Sequence, residues 1–163
     1  MARLLLIFFL FFLFDSCVND MQEVQQTVAA AEPNVEKGKD IVLYYSNNGN
    51  IKIRIKAPTL VRYLTEEPYT EFSEGLHVDF YDDSSNVISV LTAHYGIRYE
   101  KELKTIVRNN VVVINQKGEQ LNTEELIWDE RKNLIYSEKF VKITTDNEVL
   151  YGEGLEADER MNR

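Results

Sequence analysis

The chain has 163 residues, of which 44% are hydrophobic, and its 18 basic and 27 acidic side chains give a net charge of -9. This length fits one domain with a tail. The acidic balance disfavours a nucleic-acid-binding function, because such affinity comes largely from Lys and Arg side chains that neutralise phosphates. Residues 1–16 alone contain five of the eight phenylalanines. The N-terminus therefore differs in chemistry from the rest of the chain.

The first sixteen residues have the layout of a secretory signal. Arg3 supplies a positive charge, an unbroken apolar run extends from Leu4 to Phe14, and Asp15 and Ser16 follow. Eleven helical residues rise about 16 Å, which is half of the roughly 30 Å needed to cross the apolar part of a bilayer. Residues 1–16 are therefore predicted to be a cleaved signal peptide.

The only cysteine of the chain, Cys17, follows this segment directly. With the small residue Ser16 before it, the site resembles a bacterial lipobox, in which the cysteine is acylated and the preceding peptide is removed. Two acyl chains anchor a protein stably, because each buried methylene contributes about 0.8 kcal/mol. The alternative is an ordinary thiol after an ordinary signal peptide. An intrachain disulfide is excluded, since there is no second cysteine.

The segment after the cysteine is polar and lacks strand signals. Residues 17–39 are predicted to form a lipid-anchored tether, with a reach of roughly 25 Å if the segment is flexible. The folded domain is then expected to occupy residues 40–163.

Alternating hydrophobicity dominates the remainder of the chain. Apolar and polar residues alternate at 51–56, 77–80 and 141–144, which indicates strands with one apolar face. Turn-forming residues separate such runs at 82–86, 116–119, 129–133 and 146–148. The pattern predicts an all-β domain of antiparallel hairpins.

A weak internal repeat of about thirty residues accompanies this alternation. Val78, Val111 and Val141 are spaced 33 and 30 residues apart, and the leucines at 91, 121 and 150 follow with spacings of 30 and 29. Such a period suggests stacked strand-turn-strand units that contribute to two facing sheets. The alternative is that any all-β chain shows hairpins of similar length.

The stretch from 107 to 158 carries the most specific pattern. It contains Gly118-Glu119-Gln120-Leu121-Asn122-Thr123-Glu124-Glu125-Leu126-Ile127-Trp128-Asp129, then Val141-Lys142-Ile143, then Gly152-Glu153-Gly154-Leu155. These residues resemble the LptC family, with its G-x-x-L-x-T-x-x-L-x-[YW]-D, V-x-I and G-x-G-L elements. The resemblance covers about 100 residues. It differs from the familiar enterobacterial form at the N-terminus, where that form has a membrane-spanning helix.

The resemblance implies an antiparallel β-jellyroll, a splayed two-sheet sandwich, that carries lipopolysaccharide. It also implies partners: an inner-membrane ABC transporter of the LptBFG type that delivers the lipid and a periplasmic LptA-like protein that receives it. Strand parity places the acyl-chain-binding residues on the inner face. They are Val78, Phe80, Val111, Val113, Leu121, Leu126, Trp128, Val141 and Ile143.

The outer face is predicted to carry Asp79, Glu125 and Lys142 in water. A cationic strip of Lys52, Arg54 and Lys56 either meets lipid phosphates or is simply the wet side of a strand.

Partner strands are predicted to pair with the two exposed sheet edges, formed by Ile51, Ile53 and Ile55 at one end and by the segment with Gly152 and Gly154 at the other. The two glycines permit close backbone approach, or alternatively form a bulge or final turn.

No catalytic, metal or cofactor motif is present. His77 and His94 lack metal-ligand spacing, and neighbouring carboxylates on a strand point to opposite faces. The sequence therefore predicts a non-enzymatic lipoprotein in the periplasm, anchored to the inner membrane. The alternative function is a structural or adhesive β-repeat lipoprotein that binds protein and never lipid.

Overall fold

A computed structural model describes residues 34–158, which form ten antiparallel strands. The strands are β1 (Val35–Asn47), β2 (Asn50–Tyr63), β3 (Tyr69–Phe72), β4 (Leu76–Tyr81), β5 (Val87–Ala93), β6 (Tyr95–Tyr99), β7 (Lys104–Asn115), β8 (Gln120–Asp129), β9 (Leu134–Thr144) and β10 (Val149–Asp158). The all-β prediction is confirmed. Within this part of the chain no helix is long and apolar enough to cross a membrane. The predicted signal peptide and Cys17 lie outside the described residues.

The first strand begins earlier than the sequence indicated. The tether predicted for residues 17–39 includes Val35–Lys39, but these residues pair with β2 from Tyr63 to Thr59. The segment lacks the alternation of a free-standing strand signal. The segment forms a strand because pairing with a long neighbouring strand satisfies its backbone hydrogen bonds, although its side chains do not alternate. Any tether therefore ends before Val35.

Two long strands divide the sheet into two layers. β2 pairs with β4 through Ile53–Lys56 and with β3 through Val61–Tyr63. β7 likewise pairs with β5 near its C-terminal end and with β6 near its start. Because β4 pairs with β5 and β3 pairs with β6, these six strands close a ring. Layer 1 contains β4 and β5, layer 2 contains β3 and β6, and the long strands run through both.

The long strands change layer along one line, which we call the bend line. It passes through Asp40 of β1, Asn109-Asn110 of β7 and Gly154 of β10, all with positive φ. The β-ladder register shifts at Asn109-Asn110, at Gly154 and in the middle of β8. Asn and Gly are the residues that adopt this left-handed backbone at the lowest cost, and a bulge bends the strand that contains it.

The turns connecting the shorter strands reach the same line. Gly75, between β3 and β4, has a φ of 89° and lies against the Ala93 carbonyl oxygen. The His94 amide, between β5 and β6, donates a hydrogen bond of 3.0 Å to the Asn109 carbonyl oxygen. The remaining turns lie at the far ends of the strands and form the free rims of the layers. The predicted turns at 82–86, 116–119, 129–133 and 146–148 lie in these rims.

The core lies between the layers. Layer 1 contributes Val78 and Leu91, layer 2 contributes Phe72 and Val107, and all four belong to one cluster of buried side chains. The thirty-residue repeat matches this architecture only in part. Val78 pairs with Leu91, but Val111 and Val141 lie two residues from Val113 and Ile143, which pair with the leucines at 121 and 150.

Gly75 is expected to be indispensable for the bend. A Cβ atom there would lie 2.8 Å from the Ala93 carbonyl oxygen, whereas at Gly49, with a similar φ of 81°, it would meet nothing within 4 Å. Urea unfolding should show a loss of about 3 kcal/mol for Gly75→Ala and about 1 kcal/mol for Gly49→Ala, since only the first adds a backbone clash to left-handed strain. Equal losses would contradict this assignment.

Candidate functional site

A continuous row of apolar side chains crosses seven strands on the inner face of layer 1. Each member is the register partner of the next, in the order Ile55, Val78, Leu91, Val113, Leu121, Ile143 and Leu150. Strands lie about 4.8 Å apart, so the row is about 29 Å long. The row therefore runs perpendicular to the strands and parallel to the bend line. Val78, Leu91, Val113 and Leu121 of this row are buried in the core. We call the space between the two layers on the rim side of this row the groove.

The inner-face residues predicted from sequence all face the core between the layers. Val78, Val111, Val113, Leu121, Leu126 and Val141 are buried members of the central cluster, and Phe80, Trp128 and Ile143 are partly buried and pack against it. Contact with lipid stays a prediction.

Burial along the inner face falls with distance from the bend line. Val111, next to the bend, is 1% exposed. Ile53 and Phe80, which are register partners, lie four residues further from the bend line along their strands and are only partly buried. On β1, Leu43 and Tyr45 face inward beside Ile55 and Ile53, yet they are 40% and 59% exposed. The apolar surface of the groove is thus open to solvent at the β1 end and is incompletely covered toward the rims.

One predicted sheet edge is wrong. Ile51, Ile53 and Ile55 were expected to form an exposed edge, but they belong to β2, which lies between β1 and β4. The alternation there reflects packing on one face only and carries no information about a neighbouring strand. β1 pairs with β2 alone among the described strands, so β1 is the N-terminal edge.

The other predicted edge is an edge strand. Among the described strands, β10 pairs only with β9. Gly154, with a φ of 80°, lies where the register shifts, so it occupies a bulge, whereas Gly152 pairs regularly with Val141. Next to this edge, Phe140 and Tyr151 stack at 6.0 Å on the outer face and are both largely exposed. Partner binding at this strand stays a prediction.

The cationic strip lies on the outer face, away from the groove. The Arg54 Nε donates a hydrogen bond of 2.8 Å to Asp79, and Lys52 forms an ion pair with Asp83. Two of the three cations therefore have acidic partners, which favours an ordinary strand face over a phosphate site.

Asp79 is on the outer face as predicted, but it is not exposed to water. It is 5% exposed, because Arg54 and His77 cover it, and it accepts hydrogen bonds from both. Burial alone would raise the pKa of Asp79, but these two hydrogen bonds outweigh it and hold the pKa below its ordinary value. Glu125 is likewise covered, because it pairs with Arg108 at 2.6 Å.

Sequence analysis missed the polar residues of the inner face. On layer 2, Arg62, Thr70, Arg98 and Thr105 are successive register partners. They face the groove, because Phe72, two residues from Thr70 on β3, is buried in the core, and Gly96, two residues from Arg98 on β6, packs against Leu76 and Phe72 of that core. Parity could have located these arginines only with a correct register for the short strands β3 and β6.

No metal-binding cluster is found among residues 34–158. No group of three or more His, Cys, Asp or Glu side chains there could hold a metal ion. His77 is engaged by Asp79 at 3.0 Å in the outer-face ion cluster.

Asp79 is expected to make stability depend on acid pH. Its pKa is lower in the folded state, so its contribution is present above the ordinary pKa of about 3.9 and is lost as pH falls through the folded value. Asp79→Asn should cost about 1–3 kcal/mol at pH 7 and much less near pH 2, measured by urea unfolding. Asp83→Asn, whose side chain is 85% exposed, should change neither value measurably. A pH-independent loss for Asp79→Asn would contradict the linkage.

Comparison with known families completes this description. A search of curated proteins finds no match. The family model described as "Lipopolysaccharide-assembly, LptC-related" matches residues 2–163, nearly the whole chain. That family is a non-enzymatic transport component of lipopolysaccharide assembly in the periplasmic envelope, and the ten-stranded fold agrees with its β-jellyroll. The chain belongs to the LptC-related family.

Proposed function

We propose that the protein is a membrane-anchored carrier that holds the acyl chains of lipopolysaccharide in the groove. The main support is the unbroken inner row from Ile55 to Leu150, together with the increase in exposure from Val111 toward Phe80 and Tyr45. A closed structural sandwich has no need for inward-facing aromatic and aliphatic side chains that remain accessible. A carrier requires them, because its ligand must enter and leave.

The energetics favour such a surface. An acyl chain of about a dozen carbons costs roughly 10 kcal/mol in water, at about 0.8 kcal/mol per methylene. A row about 29 Å long, crossing seven strands, offers continuous apolar cover to a chain that moves along it.

Transfer requires a donor and an acceptor at opposite ends of the row. We propose that β1 meets an LptBFG-like ABC transporter and that β10 meets an LptA-like protein, each by strand addition to an unpaired edge. The exposed pair Phe140 and Tyr151 beside β10 supplies apolar contact area for the second partner.

The anchor is proposed at Cys17. Acylation there, after removal of residues 1–16, would hold the domain at the periplasmic face of the inner membrane through a linker of at most 17 residues, since β1 begins at Val35.

Phe80 provides the sharpest test of the groove. A photo-crosslinking phenylalanine analogue at Phe80 should capture lipopolysaccharide in living cells, because this ring faces the groove and is only partly buried. The matched control is the next residue, Tyr81, which faces outward beneath Arg54. Capture at Tyr81 as efficient as at Phe80, or capture at neither, would contradict the carrier function and favour the structural alternative.

Acylation of Cys17 is expected to be directly visible. Cells fed labelled palmitate should incorporate label into the wild-type protein and none into Cys17→Ala, because the chain has no second cysteine. Cys17→Ala should also release the domain from sedimented membranes. Persistence of label in this variant would exclude Cys17 as the lipid attachment point.

A further inference from the structure

The two walls of the groove differ in charge. At the same distance from the bend line, layer 1 presents Ile53 and Phe80, whereas layer 2 presents Arg62 and Arg98. The arginines lie on β2 and β6, with Thr70 of β3 between them, so their strands are roughly 10 Å apart. At this level the β2 and β4 side of layer 1 is apolar, although Ser89 and Asn115 continue the same row on β5 and β7, whereas the β2 and β6 positions of layer 2 carry arginines.

Arg62 is fully engaged in this wall. Its Nε and one Nη each donate a hydrogen bond of 2.8 Å to Glu100, and Glu36 lies 3.6 Å from the other Nη. Thr70 also donates to Glu100, at 3.3 Å. Arg62 therefore fixes Glu100 and offers little to a ligand.

Arg98 is different. Its hydrogen bonds to Thr105 and Glu130 both use Nη1, and within residues 34–158 Nε and Nη2 make no hydrogen bond, although the Glu100 carboxylate is near enough to interact with the guanidinium electrostatically. The Arg98 side chain is only 34% exposed. A guanidinium that is two-thirds buried and retains unpaired donors suits a bidentate oxyanion, because carboxylate and phosphate match its planar fork.

The position of Arg98 indicates which oxyanion of a bound ligand it would meet. Two residues closer to the bend, Gly96 lacks a side chain and lies against Leu76 and Phe72 of the core. Arg98 is about 7 Å further along β6, at the border between the apolar groove and the rim turn that begins at Glu100. An amphiphile whose acyl chains fill the groove places its polar head at this border.

We propose that Arg98 binds the phosphorylated sugar headgroup of the lipid carried in the groove. This inference rests on the proposed carrier function. Glu130 holds the guanidinium in place and competes with the phosphate, so binding is weak enough to be reversible as the lipid moves on. Arg62 and Glu100 act as positioning residues that fix the neighbouring rim.

The test compares two lipids that differ only in phosphate. Purified protein without residues 1–16 is titrated with bisphosphorylated lipid A and with the same lipid after phosphate removal. Wild type should bind the phosphorylated lipid about ten-fold more tightly. Arg98→Gln should abolish this preference while leaving the affinity for the phosphate-free lipid unchanged, and Arg98→Lys should retain part of it.

Two further variants separate binding from structure. Glu130→Gln should strengthen the preference several-fold, because it removes the competing carboxylate, a result that a purely structural ion pair would not give. Arg108→Gln breaks an equivalent pair on the outer face and should leave the preference intact.

The outcomes distinguish the two proposals. Equal binding of both lipids by wild type, or a preference that survives Arg98→Gln, overturns the headgroup site and leaves the carrier function standing. Absence of binding to either lipid overturns both. Inorganic phosphate that binds alone, with the same dependence on Arg98, would identify free phosphate as the ligand and overturn the headgroup assignment.

Discussion

The bend line is the constraint on which the rest of the molecule depends. A two-layered β-structure with one open side requires every long strand to change direction at the same level. Here β1, β7 and β10 have left-handed backbone at that level, at Asp40, Asn109-Asn110 and Gly154. The turns that contain Gly75 and His94 reach the same level. Because the strands bend along this line, the core is deepest beside it. The turns that connect strands within one layer all lie at the opposite side, at the rims. The groove and its accessible rim both follow from this.

Strand parity and register explain the contrast between the two faces of each layer. On the outer face, charges are matched in local pairs such as Arg54 with Asp79 and Arg108 with Glu125. On the inner face, apolar residues form one long row in layer 1, and the arginines of layer 2 lie near its rim. An amphiphile can therefore be oriented by the groove and is not merely solubilised by it.

Much of this arrangement was predictable from local pattern. Alternation identified the inner-facing residues, because a period of two survives wherever one face is buried. The thirty-residue spacing identified the pair of Val78 with Leu91, but its later valines lie two residues from the partners of the later leucines. Neighbour relations were not predictable. The mistaken edge at Ile51–Ile55 arose because a strand between two neighbours and a strand with one can share the same alternation. The start of β1 and the facing of Arg98 depend on long-range register, which no local pattern carries.

Each successive residue of the inner row lies on the next strand, one strand spacing further along. The row's length is therefore set in discrete increments by the number of strands, whereas its width and polarity are set by the side chains at each step. Adding a hairpin at either end would lengthen the path by roughly 10 Å and leave the existing cross-section untouched. Reach and ligand selectivity are thus separable quantities in this architecture, and evolution or engineering can alter one while conserving the other.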